Sequence, residues 1–241
     1  MIRIGCSGWN YDDWRGRLYP SSGSTSKWLQ IYAEHFDTVE VNATFYRLPR
    51  ADAVERWAAS TPADFCFAVK GSRYLTHVRR LRGPAEGIRR FESRMKPLRR
   101  ADKRGPMLWQ LPATFKRDDE RLQRFLARLP SGLHAFEFRH DSWYAEDIYA
   151  RLRDHDVALV LGDRRPDPPP EWIETTDWTY LRFHHGRGRR GNYSDSELSE
   201  WADRIDGASG DVYAYFNNDW EGFAVRNAAT LRGLLGATVA G

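Results

Sequence analysis

The sequence predicts a (β/α)8 barrel, and three observations lead there. Short apolar runs with strand character alternate with amphipathic helical patterns along the whole length. Eight such strands and about seven helices fit into 241 residues, close to the ~250 that this barrel needs. No glycine-rich phosphate turn follows the first strand: GCSGWN stands where an open dinucleotide-binding sheet would carry GxGxxG. With no strong linker and no repeat beyond this alternation, the chain reads as one domain over residues 1–241.

The elements follow in order. IRIGCSGW (2–9) reads as the first strand. TSKWLQIYAEHF places Trp28, Leu29, Tyr32, Ala33 and Phe36 on one helical face. The second strand is read at 37–46, with a helix around ADAVERWAAS after it, and the third strand at 64–72. A helix through Ile88, Phe91, Met95 and Leu98 leads to the fourth strand at 106–112. DDERLQRFLARLP carries acids in its first turn and arginine near its end, as a helix dipole favours. The fifth strand lies in LHAFEFRHDSWY (133–144), followed by the helix EDIYARLRDHD and a sixth strand at 157–163. The proline-rich stretch RRPDPPPEWIETTD has no helical face and predicts an irregular connection between strands six and seven. The seventh strand is WTYLRFHH (178–185). SDSELSEWADRI follows as a helix that Ser194 or Ser196 would cap, then an eighth strand (211–219) and the helix AVRNAATLRGLLG.

Composition narrows the function classes. The formal charge of +4 is mild for this length and compatible with an anionic ligand. Of 37 basic residues only five are lysine, so arginine dominates. Two distant cysteines, Cys6 and Cys66, make neither a disulfide framework nor a metal-thiolate motif. No apolar run approaches membrane-spanning length, and the opening MIRIGCSGWN lacks the layout of a secretory leader. The expectation is a soluble cytoplasmic protein with no membrane partner.

Strand parity then sorts the polar residues. A barrel packs its outer strand face on helices and fills its lumen with the other, active sites lying at the strand C-termini. Phe136 and Phe138 belong outside, so Glu137 and Arg139 point in. The same rule sends inward Gly5 and Ser7; Glu40 and Asn42; Cys66, Ala68 and Lys70; Leu108 and Gln110; Leu159, Leu161 and Asp163; Tyr180, Arg182 and His184; and Tyr213, Tyr215 and Asn217. Polar side chains thereby collect high in the lumen. An unpaired buried charge costs several kcal/mol, so these groups must pair with each other, with water or with a ligand. A purely structural ion-pair lattice is the competing interpretation.

The motifs GCSGW, FDTVEVNATFYRLP, FAVKGSRYLTH, LWQLP, EFRHDSWY, RFHHGR and YFNND occur in this order. Together they resemble the YecE-like family, known as domain of unknown function seventy-two, over essentially the whole chain. The resemblance implies a TIM-type barrel and carries no assigned reaction. Its motif positions here are Gly8, Trp9, Glu40, Asn42, Phe45, Tyr46, Lys70, Thr76, His77, Gln110, Pro112, Glu137, Arg139, Ser142, Trp143, Arg182, His184, Gly186, Asn217 and Asn218. One departure is KGSRYLTH, where the family pattern leads one to expect a proline near Gly71 or Ser72.

Four chemistries compete for these residues. A phosphate site is the leading one: the loop HHGRGRRGNY follows the seventh strand, where barrels often bind phosphate, and offers Arg187, Arg189 and Arg190. Aromatics at the mouth, Trp9, Tyr46, Tyr74, Trp143 and Tyr193, could stack on bases of a nucleotide or single-stranded nucleic acid. Phosphodiester hydrolysis with a divalent metal would draw on Glu40, His77, Glu137, His140, Asp163, His184 and His185, although no HxxxH or HxH pair is present and His140 has outward parity. Glycoside hydrolysis would use Glu40 and Glu137 as its carboxylate pair. A non-catalytic nucleic-acid or anion binder is the fourth. The roles expected are Lys70, Arg139, Arg182 and Arg187 holding an anion; Glu137, Glu40 and His184 carrying protons; and Asn42, Gln110 and Asn217 orienting the ligand. Trp9, Tyr46, His77, Trp143, Asp163, Tyr193 and Asn218 would complete the mouth.

Overall fold

A computed structural model describes residues 1–163 and 172–236. Eight parallel strands close into a barrel in chain order: β1 (Ile2–Cys6), β2 (Thr38–Val41), β3 (Cys66–Lys70), β4 (Arg104–Gln110), β5 (His134–Glu137), β6 (Val157–Gly162), β7 (Trp178–Phe183) and β8 (Asp211–Phe216), with β8 paired to β1. Around them lie α1 (Trp28–His35), α2 (Ala43–Tyr46), α3 (Ala51–Ala59), α4 (Pro84–Arg100), α5 (Asp119–Leu126), α6 (Glu146–Asp154), α7 (Asp195–Asp206) and α8 (Phe223–Leu234). The irregular connection expected between β6 and β7 falls largely on residues outside the described ones; Trp172–Asp177 forms neither helix nor strand.

Helix ends are set by local chemistry. The Ser194 hydroxyl accepts from Glu197 N while the Glu197 carboxylate accepts from Ser194 N, a reciprocal cap on α7. Asp118 caps α5 through Arg121 N.

The strands are shorter than the sequence predicts because their C-terminal residues leave the ladder to build the mouth. After Val41 the chain turns into α2, held by the Thr44 hydroxyl against Val41 O and Lys70 O. After Glu137 it runs into a single 3₁₀ turn at Asp141–Trp143. The β1–β2 seam has one ladder pair, Cys6 with Val39. Tyr32 of α1 splints it: Cys6 N donates to the Tyr32 hydroxyl, which donates to Thr38 O.

Two apolar cores result. The outer one, between strands and helices, holds Val39, Val41, Phe65, Phe67, Val69, Phe136, Phe138, Leu181 and Phe183. The inner one fills the lower lumen with Cys66, Ala68, Leu108, Ala135, Ala158, Val160, Trp178, Tyr180, Tyr213 and Tyr215. Parity is thus as expected on β2, β3, β4, β5, β7 and β8. It is corrected on β6, where Ala158 and Val160 face in while Leu159 and Leu161 belong to the outer core. VALVLGD is apolar at nearly every position, so alternation carried no information there.

Candidate functional site

The lumen charges form two tiers. The lower tier is built on Arg182 of β7, 1% exposed. Its Nε and Nη2 donate to the two oxygens of Glu40 at 2.9 and 2.8 Å, and its Nη1 donates to Glu137 at 2.6 Å. Ser7 (2.6 Å) and Tyr180 (2.8 Å) also donate to Glu40. Gln110 donates to Glu137 at 2.8 Å, Arg139 pairs with it at 2.6 Å, and His184 Nε2 lies 3.3 Å away. Glu40 therefore takes four hydrogen bonds from three residues and Glu137 has four residues around it, about the full acceptor capacity of each group. Burial is the largest single influence and pushes both up; Arg182 and the other donors and cations around them together overcome it, holding Glu40 below and Glu137 well below the usual carboxylate range. The same two carboxylates, against burial, hold Arg182 firmly charged.

The upper tier is looser. Arg139 side-chain atoms are 35% exposed, and its Nη2 lies 2.9 Å from His184 Nε2. Asn217 Nδ2 faces His184 Nδ1 at 3.2 Å, and Asn42 Nδ2 reaches Asn217 Oδ1 at 3.4 Å. Asn42 Oδ1 is buried and no hydrogen bond reaches it among the described residues. Lys70, at the end of β3, is 8% exposed, and its Nζ lies 4.5 Å from the centroid of the Phe45 ring. No hydrogen bond or ion pair reaches this ammonium among the described residues. Burial, then Arg182, pulls Lys70 down to about 8. His77 packs edge-on against the same Phe45 ring at 4.9 Å, from a π-helical turn over Tyr74–Val78. Burial and the Lys70, Arg73 and Arg80 cations pull His77 down to about 4, so it is neutral. Gly71 allows this course: a Cβ there would meet the Trp109 ring at 2.3 Å.

Several expected mouth residues lie elsewhere. Trp143 does not roof the mouth. It is fully buried in the outer core, stacked on Phe138 at 4.9 Å, with Nε1 donating to Phe115 O. Tyr193 is likewise withdrawn, 3% exposed against Phe183 and Phe216, its hydroxyl on Asp163. Asp163 follows the corrected parity of β6. Instead of entering the lumen it accepts from His184 N (2.7 Å) and His185 N (2.9 Å), pinning the loop after β7. Asn218 braces that loop through Gly191 O and Asn227. Arg187 is exposed and turned toward Glu197 and Glu200, because α7 begins with acids beside the loop. Trp9 is half-buried against Trp57 of α3, whereas Tyr46 stands open at 78% exposure. His140 accepts from Ser142 N in the 3₁₀ turn.

Sequence reasoning did not single out Tyr180 or give Phe45 a role. Tyr180 had lumen parity two positions before Arg182, which was the available signal. Nothing in the alternation pointed to Phe45, because α2 was read as strand.

Among the described residues no three His, Cys, Asp or Glu side chains cluster to hold a metal ion. Among them, too, no helix is long and apolar enough to cross a membrane.

The molecule is thus a closed eight-stranded parallel α/β barrel with charged side chains gathered at its C-terminal mouth. Residues 3–241 match the family described as "Protein of unknown function DUF72". The chain belongs to that family. It is 28% identical to the UPF0759 protein YunF of Bacillus subtilis, over 98% of this chain and 95% of that one. It is 36% identical to the UPF0759 protein YecE of Escherichia coli over 69% of this chain and 60% of YecE. A DUF72 family crystal structure from Thermotoga maritima superposes with a TM-score of 0.88 at 31% identity, covering 98% of this chain and 99% of that one.

Proposed function

We propose that the barrel mouth binds the anionic group of a small phosphorylated or nucleotide-like compound. One observation carries this reading: the Lys70 ammonium is held at the mouth, largely dehydrated, with no counter-ion among the described residues. Among the described residues Arg182 and Arg139 pair with Glu40 and Glu137, and the third cation, Lys70, is left without an ion pair. A buried cation without a partner is costly, and an anionic ligand would remove that cost. Arg139 and His184 would flank the anion. Asn42 Oδ1, an acceptor with no donor among the described residues, favours a ligand with a hydroxyl or amine beside its anionic group. Arg182 would serve as the fixed floor beneath the ligand.

Glycoside hydrolysis draws no support from this geometry, since a general acid must be protonated near neutral pH and both carboxylates are held ionised. Hydrolysis of a phosphodiester and simple binding without turnover both remain consistent with a basic mouth, and added divalent metal distinguishes them. The test is calorimetry with inorganic phosphate, pyrophosphate, AMP and a short oligothymidylate at low and high salt, alongside phosphodiester turnover with and without magnesium or manganese. Binding that weakens at least tenfold in Lys70→Met and survives in Lys70→Arg is the expected result. Indifference of every probe to Lys70→Met would overturn the reading.

A further inference from the structure

Lysine is scarce in this chain, five against thirty-two arginines, and two of the five are buried. These two are treated in opposite ways. Lys103 Nζ donates to Ala58 O at 2.6 Å, Thr61 O at 2.6 Å and Thr61 Oγ1 at 3.1 Å, so its three donors are used and it serves as a structural clamp. Lys70 has the same three donors and uses none on the described residues; its Nζ lies over the Phe45 ring, 4.5 Å from the centroid. If its task were solely to hold an anion, an arginine fork would do so with two parallel bonds and a permanent charge. What lysine alone supplies is a nitrogen that can shed its proton and attack an electrophile.

We propose that Lys70 is a nucleophilic amine that forms an imine with an aldehyde or ketone bearing an anionic substituent. The inference rests on the anion-binding reading, because Arg139 would hold that substituent beside the amine. Burial that pulls Lys70 to about 8 leaves roughly a tenth of it as free amine at pH 7, a far larger share than an ordinary lysine offers. A proton carrier stands on the same ring. The Thr76 hydroxyl lies 3.3 Å from Ser72 O and shares a hydrogen bond with His77 Nδ1 at 2.9 Å, which holds the imidazole in place. The other ring nitrogen, His77 Nε2, is reached by no hydrogen bond among the described residues.

The step balances as follows. The Lys70 Nζ lone pair forms a C–N bond to the carbonyl carbon as the C=O π bond breaks onto oxygen. A proton passes from nitrogen to that oxygen by way of His77 Nε2. The carbinolamine C–O bond then breaks, a second proton completes water as the leaving group, and a protonated imine remains. Overall, one ammonium and one carbonyl give one iminium and one water, with no oxidant or reductant consumed.

The experiment is reductive trapping in the folded wild-type protein. Glyoxylate, pyruvate or glycolaldehyde phosphate is added with sodium cyanoborohydride, and labelled lysines are found by intact mass and peptide mapping. A single adduct on Lys70 ahead of the exposed Lys27, Lys96 and Lys116 is expected, with a rate half-maximal near pH 8 and absent in Lys70→Arg. Adducts distributed over the exposed lysines and the N-terminal amine, with Lys70 unmodified, would overturn the inference. Pyrophosphate calorimetry on the same samples separates the two ideas. Retained, Lys70-dependent pyrophosphate binding without trapping rejects the amine chemistry alone, and loss of both rejects the anion site as well. His77→Gln, which removes the proton carrier and keeps Lys70, should slow trapping at least tenfold. An unchanged trapping rate would remove His77 from the step.

Discussion

Replacing Lys70 by methionine should make this protein more stable, although it removes a buried charged residue. The drop from the ordinary 10.5 to about 8 means that folding disfavours the charged form. At ~1.4 kcal/mol for each tenfold, that drop amounts to about 3 kcal/mol. Between pH 8 and 10.5 the unfolded chain holds a proton on this lysine that the folded chain has released, so stability rises with pH across that window. Below pH 8 the full penalty is present. Methionine has similar length, opens no cavity and sets a thioether against the Phe45 ring. Lys70→Met should therefore gain up to about 3 kcal/mol at pH 7, several degrees in Tm for a chain of this size, and lose the alkaline rise. Lys103→Met is the matched control. It strands Ala58 O and Thr61 O, and should cost about 1–3 kcal/mol. Thermal and urea unfolding at pH 7, 8, 9 and 10 read both variants. If Lys70→Met melts below wild type at pH 7, or both proteins share one pH dependence, the claim that Lys70 lacks a partner fails.

Arg182→Met should be the most damaging single change in the lumen, about 3–5 kcal/mol by urea unfolding, since it leaves Glu40 and Glu137 buried and uncompensated. Adding Glu40→Gln to that variant should restore part of the loss. His134, 3% exposed, is fixed as its neutral form by Trp109 Nε1–H and Pro130 O, and burial pulls it down to about 4. From pH 6.5 down to 4 the unfolded chain takes up a proton that the folded chain refuses. Stability should fall by about 3 kcal/mol across this range, and His134→Gln should flatten the slope in acid titrations followed by circular dichroism. Trp143→Ala should cost about 3–5 kcal/mol in unfolding and shift pyrophosphate affinity by less than about twofold; a large loss of affinity with intact stability would return Trp143 to the mouth.

The fold was legible because alternation and helical periodicity agreed along most of the chain. On β5, Phe136 and Phe138 left only one parity for Glu137, and the same held for Glu40 between Val39 and Val41. Legibility failed wherever both faces are apolar, as on β6, and that single ambiguity also misplaced Asp163. It failed again where the chain leaves the ladder. Parity extrapolated past Glu137 or Phe183 ignores the turns that carry Trp143, Arg187 and Tyr193 away, and those turns are set by contacts far along the chain, such as Trp143 Nε1 to Phe115 O. Composition could name the charges but not their partners: parity placed Lys70 at the mouth, but nothing in the sequence showed that the donors of Lys103 are filled while those of Lys70 meet no acceptor among the described residues.

That difference follows from acceptor capacity. Glu40 takes Ser7, Tyr180 and two arms of Arg182; Glu137 takes the third arm, Gln110, Arg139 and His184. With about four acceptor sites each, neither carboxylate has room for a lysine. Neither can turn toward Lys70 without abandoning a charge-assisted bond in a buried site, where such bonds are strongest. The ion-pair lattice and the functional site are therefore not competing interpretations of the same residues. The lattice consumes the carboxylates of Glu40 and Glu137 and holds them in place, and so leaves the Lys70 amine without a counter-ion among the described residues, which is what the proposed ligand site requires.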